Sequence, residues 1–123
     1  MLASEDARER AAGLAALCRR GGDVGDFGDI RDMARRTDLR ERYWLARALA
    51  ASRHPEALTA LVALLDDPQI NVAYQACNAV GRMGDRRGIA PLLRLIKRSR
   101  EWYVQRYAYR ALRRLGWRQR VSG

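Results

Sequence analysis

An internal repeat of 31 to 32 residues constrains the fold of this chain more than any other feature. Tyr43–Leu49, Tyr74–Val80 and Arg106–Leu112 align with one another at offsets of 31 and then 32. The intervening segments align as well: Ala60–Leu61 with Pro91–Leu92, Leu64 with Leu95, and Leu65 with Ile96. A period of this length is the mark of stacked supersecondary units, none of which can bury its apolar face alone.

Within each unit the apolar residues recur at helical spacing. One stripe is Leu58, Leu61, Val62, Leu65; another is Val72, Ala76, Ala79, Val80, Met83; its successor is Val104, Ala108, Ala111, Leu112, Leu115. Small alanines at matching positions, Ala48, Ala79 and Ala111, let neighbouring helices approach closely. Gly84 and Gly116 follow the last periodic residues and act as helix stops, because glycine takes the left-handed conformation at little cost. Asp66-Asp67-Pro68 reads as a turn. The pattern predicts helices over 4–20, 29–37, 39–52, 55–65, 69–83, 87–98 and 101–116. Ser4 is the expected N-cap of the first, and Glu101 is expected in the first turn of the last. The stretch Gly22–Gly28 reads as a flexible inter-helix loop; it lacks the spacing of a phosphate-binding loop.

The N-terminal third fits the same scheme more loosely. Leu14 aligns with Leu45, and Leu17-Cys18 with Ala48-Leu49, again at offset 31. The expected organisation is one domain over 1–123: a degenerate repeat over 1–38, regular repeats over 39–117 and a basic tail over 118–123. The fold class is all-α, a right-handed α-solenoid of about three to three and a half helical hairpins.

The second helix of each unit carries a more specific pattern. Val72-Ala-Tyr-Gln-Ala-Cys-Asn-Ala-Val-Gly81 and Val104-Gln-Arg-Tyr-Ala-Tyr-Arg-Ala-Leu112 match a Val-Arg-x-x-Ala-x-x-Ala-Leu signature, and Asp66-Asp67-Pro68 matches its loop. The chain thereby resembles the HEAT-repeat family, and within it the short repeats of phycobilisome-lyase-like proteins. That resemblance covers 39–117 and implies that the second helices line an inner, concave face. In the family, the Arg after Val forms a ladder with loop acids. Ala73 and Gln105 stand there in this chain, so the expectation is that the ladder is missing.

Charge is distributed unevenly. Residues 1–68 hold 11 Arg against 12 acids, a balance of −1, whereas residues 69–123 hold 12 Arg and Lys97 against Asp85 and Glu101, a balance of +11. The net charge of +10 therefore belongs almost wholly to the C-terminal half. Arg in place of Lys fits a GC-rich coding sequence, but codon bias does not explain the scarcity of acids after Asp67. Such asymmetry points to an acidic or polyanionic partner.

The repeat offsets define rows across the second helices: Tyr43, Tyr74, Arg106; Trp44, Gln75, Tyr107; Arg47, Asn78, Arg110; and Ala51, Arg82, Arg114. Their aromatic, amide and guanidinium groups suit stacking and bidentate recognition of carboxylates or phosphates. On the last helix, Arg106, Arg110, Arg113 and Trp117 fall at i, i+4, i+7 and i+11 and are expected on one face, with Arg114 beside them. The candidate partner-binding residues are accordingly Tyr43, Arg47, Tyr74, Asn78, Arg82, Arg106, Tyr107, Arg110, Arg113, Arg114 and Trp117.

Enzyme chemistry finds no support in the residues. His54 is the single His and reads as a surface residue before Pro55. Cys18 and Cys77 lie far apart and read as free thiols in a reducing cytoplasm. The acids at 23, 26, 29 and 32 lack calcium-loop spacing, so no metal, cofactor or catalytic residue is expected. The longest apolar stretches, Ala11–Cys18 and Ala57–Leu65, are too short to span a bilayer. The leading expectation is a non-catalytic adaptor or accessory subunit that docks on a larger protein or complex with an acidic surface. Nucleic-acid backbone binding is the first alternative. A bilin-lyase-like role, implied only by the repeat subtype, comes last. Peripheral contact with an anionic membrane through the Arg cluster is a further option, though no separate amphipathic helix supports it.

Overall fold

Apolar stripes at a 3.6-residue period can be buried only by packing helix on helix, and that is the architecture observed. The computed structural model describes residues 2–119. Among these it contains seven α-helices: α1 (Ala7–Arg20), α2 (Ile30–Ala34), α3 (Leu39–Leu49), α4 (Glu56–Leu64), α5 (Ile70–Met83), α6 (Ile89–Arg98) and α7 (Trp102–Arg114). Short 3-10 turns at Val24–Asp26 and Arg86–Gly88 lead into α2 and α6. Helices α1, α3, α5 and α7 form one layer in which each packs on the next. In the second layer, α2 packs on α3 and α4, α4 on α3 and α5, and α6 on α7. The result is a small α-solenoid of three hairpins preceded by the lone α1. The four residues 120–123, the end of the expected basic tail, lie outside the described residues.

The helix starts fix the repeat register. The first residues of the first layer, Ala7, Leu39, Ile70 and Trp102, are spaced 32, 31 and 32 apart. In that register Leu17, Leu49, Val80 and Leu112 are equivalent, and all are buried at the centre of the core. The offset of 31 expected for the N-terminal third is therefore one residue short, and Leu17 pairs with Leu49 rather than with Ala48. Glycines confirm the frame. Gly21, Gly84 and Gly116 are the fifteenth residue counted from the start of their helices, and their φ angles are 74°, 76° and 83°. Only glycine takes this left-handed region freely, so each ends a helix at the same place. In α3 the equivalent position is Arg53, and that helix stops at Leu49 with tighter i→i+3 bonds from Ala50 and Ala51 instead.

Several local expectations need correction. The N-cap of α1 is Asp6, whose carboxylate accepts from the Arg8 amide. Ser4 lies outside the helix and instead bonds Glu9. Glu101 is the N-cap residue of α7 and lies just before its first turn. The stretch from Gly22 to Gly28 is no slack loop. Val24 is fully buried, and Asp23 caps the turn through the Gly25 amide while also accepting from the Arg53 amide.

The expected absence of an Arg ladder is also overturned. Arg10 and Arg42 occupy the positions equivalent to Ala73 and Gln105, in the two helices that the family signature matched less well. Arg10 makes a bidentate pair with buried Glu41 at 2.8 and 2.9 Å, and Arg42 reaches Asp67 at 2.7 Å. Each guanidinium also donates to a carbonyl just before its own helix, that of Ser4 or Thr37. Gln105 keeps only this second role, donating to the Ser99 carbonyl at 3.1 Å. The ladder thus ties α1 to α3, and α3 to the α4–α5 turn, and then stops.

Close approach of α5 and α7 depends on small residues. A Cβ at Gly81 would lie 3.1 Å from the Ala111 Cα, a backbone atom that cannot yield without moving the helix. Gly81→Val should therefore overpack this seam and destabilise the protein by about 1–3 kcal/mol. Urea unfolding followed by circular dichroism checks this; an unchanged midpoint would show that the seam is looser than described.

Candidate functional site

The candidate residues come from three parallel helices, α3, α5 and α7, and the structure sorts them. Arg47, Arg82, Arg106, Arg110, Arg113 and Arg114 are all exposed, and none has a carboxylate within 4.0 Å among the described residues. Asp85, one of the two acids of the C-terminal half, is consumed by Arg87, whose hydrogen bonds hold its carboxyl below the usual range. The positive field over α5 to α7 is therefore not neutralised from within.

Two of the cations are held in place, and a third lines a cleft. The Arg47 guanidinium sits 5.0 Å from the Trp44 ring and 6.0 Å from the Tyr43 ring, and these two rings meet edge to face. Arg114 donates to the Asn78 side chain at 3.1 Å across the α5–α7 seam. Arg82 joins Arg47 at a cleft of about 360 Å³ at the C-terminal ends of α1, α3 and α5. The cleft is lined also by Leu17, Cys18, Gly21, Gly22 and Ala51. Burial pushes the Cys18 thiol up, so it is a neutral wall of the cleft and not a nucleophile. Cys77 is fully buried, its thiol pushed up to about 12 by burial, and it is unpaired like Cys18.

The rows read from the offsets are not rows of contact. Neighbours across helices are diagonal: Gln75 approaches the Tyr43 hydroxyl at 3.5 Å, and the Tyr74 ring meets the Tyr107 ring edge to face at 5.3 Å between centroids. A helix in the middle of a layer shows one flank to the preceding helix and the other to the next, so facing positions differ in number. Tyr74 stays exposed, whereas Tyr43 and Tyr107 are half-buried against the core, and the Tyr107 hydroxyl is buried without a hydrogen-bond partner among the described residues. Trp117 does not share the face of Arg106, Arg110 and Arg113. Helix α7 ends at Arg114; Gly116 turns the chain, and the Trp117 amide bonds back to the Leu112 carbonyl at 3.0 Å. Its ring then packs near Tyr109, 6.1 Å between centroids, as the apolar plug of the helix cap.

One constellation escaped the sequence reading. The side-chain donor atoms of Asp23, Asp26 and His54 lie within 4.8 Å of one another. They join the turn before α2 to the α3–α4 connection, across 28 to 31 residues of chain. His54 Nε2 lies 2.9 Å from Asp26 and 3.8 Å from Asp23, and the ring rests against Gly25. Both Asp23 oxygens already accept backbone amides, from Gly25 and Arg53. The arrangement works as an electrostatic clip. The only cue in the sequence was the spacing of Asp23 and His54, one repeat apart.

Residues 29–113 match the profile of HEAT repeats, which covers more than half of the chain. The class that the fold defines is the α-solenoid, and the chain belongs to the HEAT-repeat family. The match extends to HEAT repeats at large and not to the phycobilisome-lyase-like subtype. No curated protein matches the chain. HEAT repeats generally mediate protein–protein interaction and are commonly non-catalytic scaffolds. Among the described residues, no helix is long and apolar enough to cross a membrane.

Two outcomes follow. Tyr107→Phe removes a buried hydroxyl that has no partner, so it should be neutral or stabilise by about 1 kcal/mol in chemical unfolding. A loss of that size would reveal a hydrogen bond. The second concerns pH. The hydrogen bond to Asp26 raises the His54 pKa above its ordinary 6.5. A raised value means that the folded state holds the proton more tightly, so the stabilisation is complete below the unfolded pKa and fades as pH rises through the folded one. The unfolding midpoint should fall as pH rises above the ordinary 6.5, and His54→Asn should flatten that slope.

Proposed function

We propose that this HEAT-repeat chain is a non-catalytic adaptor or accessory subunit that docks, in the cytoplasm, on a larger protein with an acidic surface. The docking face is formed by α3, α5 and α7. The observation that carries the reading is the set of six exposed guanidiniums without an ion pair among the described residues, Arg47, Arg82, Arg106, Arg110, Arg113 and Arg114, on that one layer. Unpaired charges on a small domain repel one another, and a partner carboxylate relieves that repulsion while accepting charge-assisted hydrogen bonds. Preorganisation supports the same reading. Arg47 is braced by two rings and Arg114 by Asn78, so less side-chain entropy is lost when they bind. The cleft between Arg47 and Arg82 has room for one acidic side chain, its walls otherwise apolar or neutral. The unpaired thiols suit a reducing compartment.

The test is capture from host extract with the tagged full chain, with and without nuclease. A stoichiometric protein that survives nuclease supports the adaptor. Arg110→Glu with Arg114→Glu should weaken its capture by about tenfold or more while leaving helicity unchanged, since both side chains are exposed. Capture that disappears with nuclease and falls steeply with salt would assign the guanidiniums to a nucleic-acid backbone instead.

A further inference from the structure

Five large apolar side chains are exposed among the described residues; Phe27 and Tyr74 lie elsewhere, and the other three share one position in the repeat. Leu39, Ile70 and Trp102 are each the first residue of α3, α5 and α7, and they are 45%, 54% and 70% exposed. Successive helices of this layer are joined through a helix of the other layer by short turns, so all three run the same way and present their first residues on one edge. With helices about 8–10 Å apart, the three side chains stand in a line about 20 Å long. Cations flank both ends of the line. Arg36 and Arg40 are on either side of Leu39, and Lys97 and Arg100 precede Trp102; all four are exposed, with no carboxylate within 4.0 Å among the described residues. Of the acids of this edge, Glu101 is exposed without an ion pair among the described residues, and the other three already have partners. Asp38 caps α3, Asp67 pairs with Arg42, and Asp66 pairs with Arg98.

We propose that this edge seats the protein on an anionic lipid surface, with Leu39, Ile70 and Trp102 entering the interface and Arg36, Arg40, Lys97 and Arg100 reaching the lipid phosphates. The physical case turns on how the apolar groups are arranged. A protein–protein interface centres on a contiguous apolar patch depleted of charge. Here the apolar groups project singly, one per helix, between unpaired cations. A bilayer interface accepts that pattern, because it supplies apolar depth and anionic headgroups over the whole plane and needs no shape match. Trp is the side chain that most favours the boundary between headgroup and acyl chain, and it is the most exposed of the three. Arg and Lys stems can lie along the apolar layer while their charges stay at the phosphates. The edge differs from the guanidinium face of the proposed adaptor, so the two can act together, the face holding a partner while the edge holds the membrane.

The experiment uses the intact chain with two kinds of vesicle, phosphatidylcholine alone and phosphatidylcholine with about 30 mol % phosphatidylglycerol. Flotation should show binding to the anionic vesicles and at least about tenfold less to the neutral ones, with a blue shift of Trp emission that Trp102→Phe diminishes. The triple variant Leu39→Ser, Ile70→Ser, Trp102→Ser should lose about tenfold or more in affinity, with helicity and unfolding midpoint retained. Arg40→Glu with Arg100→Glu should weaken binding similarly, whereas Arg110→Glu with Arg114→Glu should have the smaller effect. Failure to bind anionic vesicles overturns the proposal. So does equal binding by the wild type and the triple serine variant, which would reduce the contact to charge alone.

Discussion

Stacking is the interaction on which everything else in this molecule depends. The layer of α1, α3, α5 and α7 is held by a single file of buried residues, Leu17, Leu49, Val80 and Leu112, one from each helix. Full burial of such a side chain contributes about 1.5–3 kcal/mol, but only if a neighbouring helix covers it. No hairpin is therefore stable by itself, and each unit's position is set by the one before it. Small residues at the seams, Ala48, Ala79, Gly81 and Ala111, set how near the helices come. Left-handed glycines follow α1, α5 and α7 at matching places, and the common register brings the first residues of this layer to one edge.

Electrostatics divides the solenoid into two regimes. In the N-terminal part, two arginines are tied into the fold. Arg10 is tied to Glu41 and Arg42 to Asp67, and a buried guanidinium left without its carboxylate would be costly. From α5 onward the ladder position is Ala73 and then Gln105, and among the described residues the arginines lie at the surface, with only Arg87 and Arg98 paired to an acid. The same division explains why the excess of +11 in residues 69–123 does not disrupt the fold: its arginines and Lys97 are exposed among the described residues.

The repeat was legible because its physical cause is local. Helical spacing, glycine stops and the Asp66-Asp67-Pro68 turn each act within a few residues, so all seven helices could be placed from them. The errors at helix ends share one origin: several residues at each terminus could cap it, and Asp6 was chosen over Ser4 by geometry. The ladder was misjudged because its arginines sat in the two helices least similar to the signature, where Arg10 and Arg42 looked like ordinary surface charge. Trp117 was placed on the α7 face by counting at 3.6 residues per turn through Gly116, where the helix has already ended.

By itself, the sequence determined the helical period, the number of units and the concentration of excess arginine in the C-terminal half. Each of these follows from spacing or composition along the chain. The tertiary structure alone decided which residues face which. It set Gln75 beside Tyr43, buried the hydroxyl of Tyr107, closed His54 onto Asp23 and Asp26, and brought Leu39, Ile70 and Trp102 into one line. The reason is that helix rotation and the diagonal offset between neighbours come from packing in three dimensions, which no count along a single helix can supply.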